Sequence, residues 1–177
     1  MSYDTPTSER NLDGYDAPMI EWTKVRQSLE GPLGQAPDDG GPNRHTTWLA
    51  TTNPDGSPHV VPLGVMWDAG KAYFSSNLKA RKARNLAADT RCSLSIATHL
   101  FDLTVVGEAA IVTDDDTLHH VAALFEGWGP EVRDGAFHHE FSAPSAGPPP
   151  WYVYELTPTT VFAFGTADPY GAARFDL

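Results

Sequence analysis

The chain has 177 residues, and its 12 Lys and Arg against 23 Asp and Glu give a formal net charge of −11 with histidine neutral. An acidic protein repels phosphate backbones and anionic lipids, and no run approaches the roughly 20 apolar residues of a membrane span, so nucleic-acid binding and membrane association are disfavoured. The single cysteine, Cys92, excludes an intrachain disulfide framework and any Cys-based zinc cluster, which suits a cytoplasmic location.

The first part of the chain predicts little regular structure. Residues 1–17 are polar without sustained periodicity, and we expect a flexible N-terminal arm before a single domain over 18–177. Ile20, Val25 and Leu29 then lie near helical spacing and are followed by Gly31-Pro32, which predicts one short helix. The Gly- and Pro-rich segment 31–45 is predicted to be a loop.

A meander of three strands is predicted next. Its segments are HTTWLATTN (45–53), PHVVPLGVMW (58–67) and KAYFSS (71–76). Pro54 presets φ and Gly56 supplies the positive φ that a tight hairpin turn requires. The 15 Gly and 15 Pro of the chain imply many turns and therefore short strands. The fold class is predicted to be mainly β and antiparallel, with a few short helices.

The second half continues this pattern. The segments RCSLSIA (91–97) and FDLTVVGEAAIVT (101–113) predict strands, with Gly107 as a bulge. Asp114 to Asp116 precede an apolar helical pattern, so we interpret them as N-cap and helix-dipole residues. The segment 127–150 is rich in Pro and Gly yet keeps aromatic residues, which favours an ordered loop. WYVYEL (151–156) and TVFAFGT (160–166) predict two closing strands around a turn at 157–160.

Basic residues are concentrated in one short segment. The segment LKARKARNLAAD (78–89) predicts a helix. On this helix Lys79 and Lys82 share a face, while Arg81 pairs by spacing with Arg84 or Asn85. It follows Ser75-Ser76-Asn77 at a strand end, where hydroxyls, an amide and helix N–H groups can converge on an anion. A solvated helix face is the alternative interpretation. In so acidic a chain, the concentration of charge favours a phosphate site.

The order of these segments resembles that of the pyridoxamine 5′-phosphate oxidase-like flavin and deazaflavin oxidoreductases. The resemblance rests on WLATTNPDGSPHVVPLGVMWDAGKAYFSS, a KARNL helix from Lys82 to Leu86, RCSLSI and a Gly-Glu strand. It covers residues 45–113 well and the chain to 165 more loosely. It implies a split β-barrel that forms a homodimer, with FMN or the deazaflavin coenzyme F420 bound in a groove between subunits.

The resemblance also implies which residues bind the cofactor. One strand would run under the ring, two serines would lie near the ribityl chain and phosphate, and basic residues would hold the phosphate, Lys82 foremost. No catalytic side chain is required, because in this class the cofactor carries the hydride. The implied cofactor-binding residues are His59, Val60, Val61, Pro62, Ser75, Ser76, Lys79, Arg81 and Lys82.

We therefore expect an oxidoreductase that transfers hydride to or from a small organic substrate, with Trp128 and Trp151 lining the substrate pocket. Coenzyme F420 is favoured over FMN, because its long anionic tail needs a basic stripe on an acidic protein. An FMN-dependent oxidoreductase related to pyridoxamine 5′-phosphate oxidase and a non-catalytic flavin or haem carrier are the alternatives. The chain lacks the Arg-x-His substrate motif of authentic pyridoxamine phosphate oxidases and ends YGAARFDL, which argues against vitamin B6 chemistry.

Other classes of site are disfavoured. His119 and His120 cannot easily bind one ion, because adjacent residues on a helix point about 100° apart, and neither they nor His138-His139-Glu140 belong to an H-E-x-x-H motif. Histidines at the surface or at an interface are the better interpretation. No Gly-x-Ser-x-Gly motif marks a nucleophilic serine. We expect neither a metal site nor a hydrolase.

Overall fold

The computed structural model describes residues 5–31, 46–139 and 147–177, and in these ranges the chain is mainly antiparallel β-structure with three α-helices. None of these helices has the length and apolar character needed to cross a bilayer. The helices are α1 (Trp22–Leu29), α2 (Arg81–Ala88) and α3 (Asp115–Leu124). The strands are β1 (Ser8–Asn11), β2 (Thr47–Thr52), β3 (Pro58–Leu63), β4 (Met66–Asp68), β5 (Lys71–Ser76), β6 (Arg91–Ala97), β7 (Phe101–Ile111), β8 (Glu131–Arg133), β9 (Ala136–His138), β10 (Tyr152–Gly165) and β11 (Ala172–Asp176).

The strands close into a barrel through the long strand β10. One sheet runs in the order β1-β11-β10-β7-β6-β2-β3, and β5 pairs with both β10 and β4. Since only Gly64 and Val65 separate β3 from β4, the succession of paired strands returns to β10 and forms a ring. This antiparallel arrangement is consistent with the predicted split barrel. The single strand predicted over 58–67 is in fact two strands, β3 and β4, joined by Gly64 and Val65.

The barrel interior is filled by alternate residues of each strand. In β2 the inward residues Thr47, Leu49 and Thr51 are buried, whereas Trp48 and Thr52 on the other face are exposed. This period-2 pattern is expected for strands with one face on a core. Helix α1 adds Val25 and Leu29 to the same core, so the predicted helix is confirmed.

A second apolar cluster lies between helix α3 and strands β5 and β10. Leu118 and Val121 of α3 are fully buried there, together with Val153. The predicted N-cap is confirmed, because the Asp114 carboxylate accepts a hydrogen bond of 2.8 Å from the N–H of Thr117. The segment 127–150 was expected to be an ordered loop, but it contains the hairpin β8–β9. Residues 140–146 of this segment lie outside the described residues.

The N-terminal segment differs from the flexible arm expected over 1–17. Residues Ser8–Asn11 form β1, which pairs with β11 from Ser8 opposite Asp176 to Asn11 opposite Ala173. The Asp176 carboxylate accepts hydrogen bonds from Ser8 and Thr160. The pairing arises from backbone groups at a sheet edge, which polar residues satisfy as well as apolar ones do. The single domain over 18–177 stays a prediction, and residues 1–4 and 32–45 lie outside the described ranges.

The predicted turn at 157–160 is wrong, because β10 continues through it as one strand of 14 residues. A register shift between Pro158 and Thr160 absorbs the proline there. The bulge is thus on β10, whereas Gly107 is its partner on β7. A side chain at 107 has no room, because a Cβ there would overlap the carbonyl oxygen of Thr157 and lie 3.0 Å from Pro158 Cα.

We predict that Gly107→Ala destabilises the protein by about 1–3 kcal/mol, the usual cost of forcing atoms into a packed interior. Urea unfolding measures the change in the free energy of unfolding. The matched control is Gly14→Ala, since a Cβ at Gly14 meets no atom within 4 Å. Equal stability of the two variants would contradict the contact at β10.

Candidate functional site

The predicted basic helix begins later than its sequence pattern suggests. Residues 77–80 form a turn in which the Asn77 side-chain oxygen accepts from the N–H of Lys79 at 2.8 Å, and α2 starts at Arg81. Lys79 is therefore not on the helix, and the prediction that it shares a helical face with Lys82 is wrong. The Asn77 side chain satisfies a backbone donor before the helix starts, as asparagine does in turns. Lys79, Arg81 and Arg84 are exposed.

Lys82 is the basic residue of this segment that points inward. It is half-buried, and no hydrogen bond or ion pair is recorded for its ammonium among the described residues. Burial lowers the pKa of Lys82 from its ordinary value of 10.5. A desolvated cation without a carboxylate is unfavourable by itself, so this position is suited to an external anion.

The end of β5 leads directly into this site. Ser75 is half-buried and Ser76 is buried, and the Ser76 hydroxyl lies 3.2 Å from the Asn77 carbonyl oxygen. The N-cap residue of α2 is Ala80, which offers no side-chain acceptor to the N–H groups of the first turn. These groups carry the positive end of the helix dipole. Two hydroxyls, the helix N–H groups and Lys82 thus lie within eight residues of chain, and their convergence on an anion stays a prediction.

A buried asparagine fixes α2 against the β2–β3 hairpin. Asn85 is 2% exposed and donates to the Thr51 hydroxyl and to the Asn53 side-chain oxygen, both at 3.1 Å. Thr51 in turn lies 3.5 Å from Nδ1 of His59. Asn85 and Thr51 were not among the predicted site residues. Asparagine in a segment of otherwise strong helix formers was the available signal, since it is a poor residue for a helix interior.

The predicted ring-binding residues of β3 divide between two faces. Thr51 pairs directly with His59, and Leu49 with Val61, so His59 and Val61 lie on the side of the sheet that faces α2. Val60 and Pro62 lie on the opposite side and are exposed, Val60 by 53%. Successive side chains of a strand alternate, so one ligand can meet all four only through the backbone.

Trp151 lies in the second apolar cluster instead of an open pocket. It is 8% exposed and forms an antiparallel bridge with Phe137. Trp128 is half-buried and packs against the same cluster. That Trp128 and Trp151 line a substrate pocket stays a prediction. The adjoining segment does reach the site, because the Asn77 amide donates to the Pro148 carbonyl oxygen at 2.9 Å.

The histidines of α3 have ordinary surface contacts. His120 lies 2.9 Å from the Asp68 carboxylate, and His119 lies 2.9 Å from the Asp115 carbonyl oxygen. In the described ranges, no three His, Cys, Asp or Glu residues converge on a point suitable for a metal ion. His138 ends β9, and Glu140 lies outside the described residues. Cys92 is buried, which raises the pKa of its thiol to about 12.

The outer face of the barrel carries a shallow apolar groove of about 420 Å³ between β2, β6, β7 and β10. Trp48 and Phe164 line it and are 45% and 44% exposed. On β3, which pairs with β2, Val60 is also exposed on this outer face. Exposed apolar surface of this kind marks an interaction site more often than isolated apolar residues do.

The comparison with known families decides the classification. Residues 39–165 match the family described as pyridoxamine 5′-phosphate oxidase. The chain belongs to this family. The family binds flavin or deazaflavin cofactors and includes oxidoreductases. The resemblance inferred from the sequence is thereby confirmed. No curated protein sequence matches the chain significantly.

Solved structures support the fold. An F420 reductase is 22% identical, with 77% of this chain and 94% of that chain covered and a TM-score of 0.50. General Stress Protein 26 from Bacillus anthracis is 14% identical, with 80% and 91% covered and a TM-score of 0.52. A NimC/NimA family protein from Clostridium acetobutylicum is 16% identical, with 88% and 92% covered and a TM-score of 0.55. At these identities the similarity establishes the architecture alone.

We predict that Lys82→Met stabilises the ligand-free protein, because it removes a desolvated charge and keeps most of the apolar stem. The pKa of Lys82 is lower in the folded than in the unfolded protein. The buried charge therefore reduces the free energy of unfolding fully below the folded-state pKa, and this loss of stability disappears as the pH rises from that pKa towards 10.5. The advantage of the variant in the free energy of unfolding should therefore shrink over this alkaline range.

Urea unfolding at several pH values from neutral to 10.5 measures this difference. Lys79→Met is the matched control, since Lys79 is exposed and also carries a charge that is removed. A stability difference between Lys82→Met and the wild type that does not change with pH would contradict the desolvation of this lysine.

Proposed function

We propose that this protein is an oxidoreductase that binds coenzyme F420, with FMN as the alternative, and transfers hydride to or from a small organic substrate. The observation that carries the proposal is the half-buried ammonium of Lys82, which has no recorded partner among the described residues, beside an uncapped helix start and Ser76. These groups fit a phosphate, because a phosphate supplies the negative charge that Lys82 lacks and the acceptor oxygens that the helix N–H groups lack. Ser76 would turn its hydroxyl from the Asn77 carbonyl oxygen to the phosphate.

The chain's own residues would hold and orient the cofactor. Lys82, Ser75 and Ser76 would bind the phosphate, and the backbone of His59 to Pro62 would lie along the ring. Such a cofactor, when bound, supplies hydride transfer at its central ring, so a side-chain nucleophile is not needed. The protein contributes binding, orientation and exclusion of water. The barrel sheet and α2 are suited to this role, since rigid elements position a ligand better than loops do.

The distribution of charge supports F420 over FMN. FMN ends in one phosphate, for which Lys82 and the helix start are sufficient. F420 continues beyond its phosphodiester into several carboxylates, and the exposed cations Lys79, Arg81 and Arg84 lie next to Lys82 in the sequence. On a chain of net charge −11, such a long anion requires local positive charge.

We predict tighter binding of F420 than of FMN at physiological salt, and a steeper loss of F420 affinity as salt screens the exposed cations. Lys82→Met should weaken binding of either cofactor by roughly tenfold or more, since a charge-assisted hydrogen bond contributes about 1.5–3 kcal/mol. Fluorescence titration with each cofactor measures both effects. For FMN, Arg84→Met is the control, because it removes an exposed charge of the same helix that the single phosphate of FMN does not need.

The outcomes separate the proposals. Tighter binding of FMN than of F420 would overturn the choice of F420 and leave an FMN-dependent oxidoreductase. Unchanged affinity of Lys82→Met for both cofactors would overturn the phosphate assignment. Turnover of the bound, reduced cofactor with a panel of enones and quinones tests catalysis. Binding without reoxidation above background would favour a non-catalytic carrier.

We also propose that the protein is a homodimer. The supporting observation is the outer apolar groove, in which Trp48 and Phe164 are both almost half-exposed. A second copy that covers this face would also lie against Val60 on the outer side of β3, the face of the strand opposite to the His59 side chain. Closed two-fold dimers are the commonest way in which soluble proteins cover such a face.

We predict that Trp48→Glu converts a dimer to a monomer, because it removes an apolar side chain from the contact and adds a carboxylate to a groove that Asp102 also lines. Analytical ultracentrifugation at micromolar concentration measures the change. Tyr15→Glu is the control, since Tyr15 is 95% exposed and lies near the N-terminus. A monomeric wild type that still binds cofactor tightly would argue against the dimer.

A further inference from the structure

A chain of side-chain hydrogen bonds runs from the surface of the β2–β3 turn to His59. The Asp55 carboxylate accepts from the Ser57 hydroxyl at 2.6 Å and from the Ser57 N–H at 3.0 Å. The Ser57 hydroxyl oxygen accepts from the Asn53 amide at 3.1 Å. The Asn53 oxygen and the Thr51 hydroxyl both accept from the Asn85 amide. His59 Nδ1 lies 3.5 Å from the Thr51 hydroxyl oxygen and ends the chain.

The donor and acceptor of the next hydrogen bonds in this series follow from the state of the Asp55 carboxylate. Both hydrogen bonds from Ser57 lower the pKa of the Asp55 carboxyl, so this group is an ionised acceptor at neutral pH. Ser57 has one hydroxyl proton, which the carboxylate takes at 2.6 Å. Its oxygen can then only accept from Asn53, which directs the Asn53 NH₂ group to Ser57 and the Asn53 carbonyl oxygen to Asn85.

The same reasoning continues from Asn85 to the imidazole ring. Two acceptors face the Asn85 side chain, so its NH₂ group must point at Thr51 and Asn53. The Thr51 hydroxyl thus already accepts from Asn85, and its own proton is directed elsewhere. Among the described residues, His59 Nδ1 is the recorded second partner of that hydroxyl. If the Thr51 proton goes to this partner, Nδ1 accepts the long hydrogen bond and carries no proton.

We propose that this chain holds neutral His59 in the tautomer protonated at Nε2, and that the Nε2–H group donates to a ring carbonyl oxygen of the bound cofactor. The second half of this inference rests on the proposed function, whereas the tautomer does not. Nε2 has no recorded hydrogen-bond partner among the described residues. The His59 ring lies on the same face of the sheet as Thr51. Thr51 accepts a hydrogen bond from Asn85, which lies about one helical turn after Lys82 in α2.

This arrangement makes Asn85 and Thr51 positioning residues for a donor. A free imidazole ring samples both neutral tautomers, and only one of them presents N–H at the far side of the ring. Fixing that tautomer before the ligand arrives removes part of the ordering cost of binding. A ligand with a carbonyl acceptor is then preferred over an otherwise similar ligand that lacks one.

The tautomer is tested first in the ligand-free protein by nitrogen NMR of the imidazole rings, recorded at the alkaline plateau of their titration. His59→Gln identifies the His59 signals by their loss. The expected result is an Nδ1 resonance at the limiting position of an unprotonated nitrogen and an Nε2 resonance at that of a protonated one. Thr51→Val should move both towards averaged values, whereas Thr52→Val, on the exposed face of β2, should not.

A wild-type ring protonated at Nδ1, or signals that Thr51→Val leaves unchanged, would overturn the inference about the tautomer. This measurement involves no cofactor, so it stands or fails independently of the proposed function.

The ligand contact is tested by cofactor affinity. His59→Leu removes the donor and should weaken the binding of F420 and FMN by about threefold to tenfold, as for one lost neutral hydrogen bond. His59→Gln places an amide N–H near the position of Nε2 and should restore most of this loss. Equal affinities of His59→Leu and the wild type would overturn the ligand contact. Failure of the wild type to bind either cofactor would overturn that contact and the proposed function together.

Discussion

The double pairing of β10 is the constraint on which the rest of the structure depends. Tyr154, for example, is opposite Phe74 of β5 on one side and Ile111 of β7 on the other. A strand with both edges occupied joins the two halves of the ring, and its 14 residues also carry β11. The close approach of Gly107 to Thr157 shows how little space remains along this seam. Because the barrel closes here, the end of β5 and the start of α2 are held beside the β2–β3 hairpin.

The candidate site contains a polar feature that weakens the fold and a polar feature that supports it. Lys82 is desolvated and has no recorded carboxylate partner in the described ranges, which is unfavourable in the ligand-free protein. Asn85, three residues later, is almost completely buried, yet its amide donates twice to fixed acceptors. The satisfied amide of Asn85 specifies one position for α2, whereas the ammonium of Lys82 remains available to bind an anionic ligand. Stability lost at a binding position and regained beside it is common at functional sites.

The alternation of β3 distributes the predicted ring-binding residues over two surfaces. His59 and Val61 face α2, whereas Val60 and Pro62 face outward, on the side of the sheet where Trp48 and Phe164 line the groove. A ligand beside α2 and a protein that covers the outer groove would therefore meet at the same strand from opposite faces. The backbone of β3 would be the structure they share. This is the physical reason that cofactor binding and self-association are linked in our proposals.

The local sequence by itself determined the elements whose signals are short-range. Gly56 in its positive-φ turn, the Asp114 N-cap and the period-2 burial of β2 follow from neighbours within a few residues, and the order of segments was sufficient to indicate the family. Contacts distant in sequence decided the rest. β1 exists because β11 offers it an open edge, Pro158 is absorbed within β10 because β7 has a glycine opposite, and Trp151 is buried because α3 packs nearby. The hydrogen bonds that start at Asp55 reach His59 through Asn85, which lies 26 residues beyond His59 in the sequence. A local sequence pattern cannot predict which side chains will meet across such a separation.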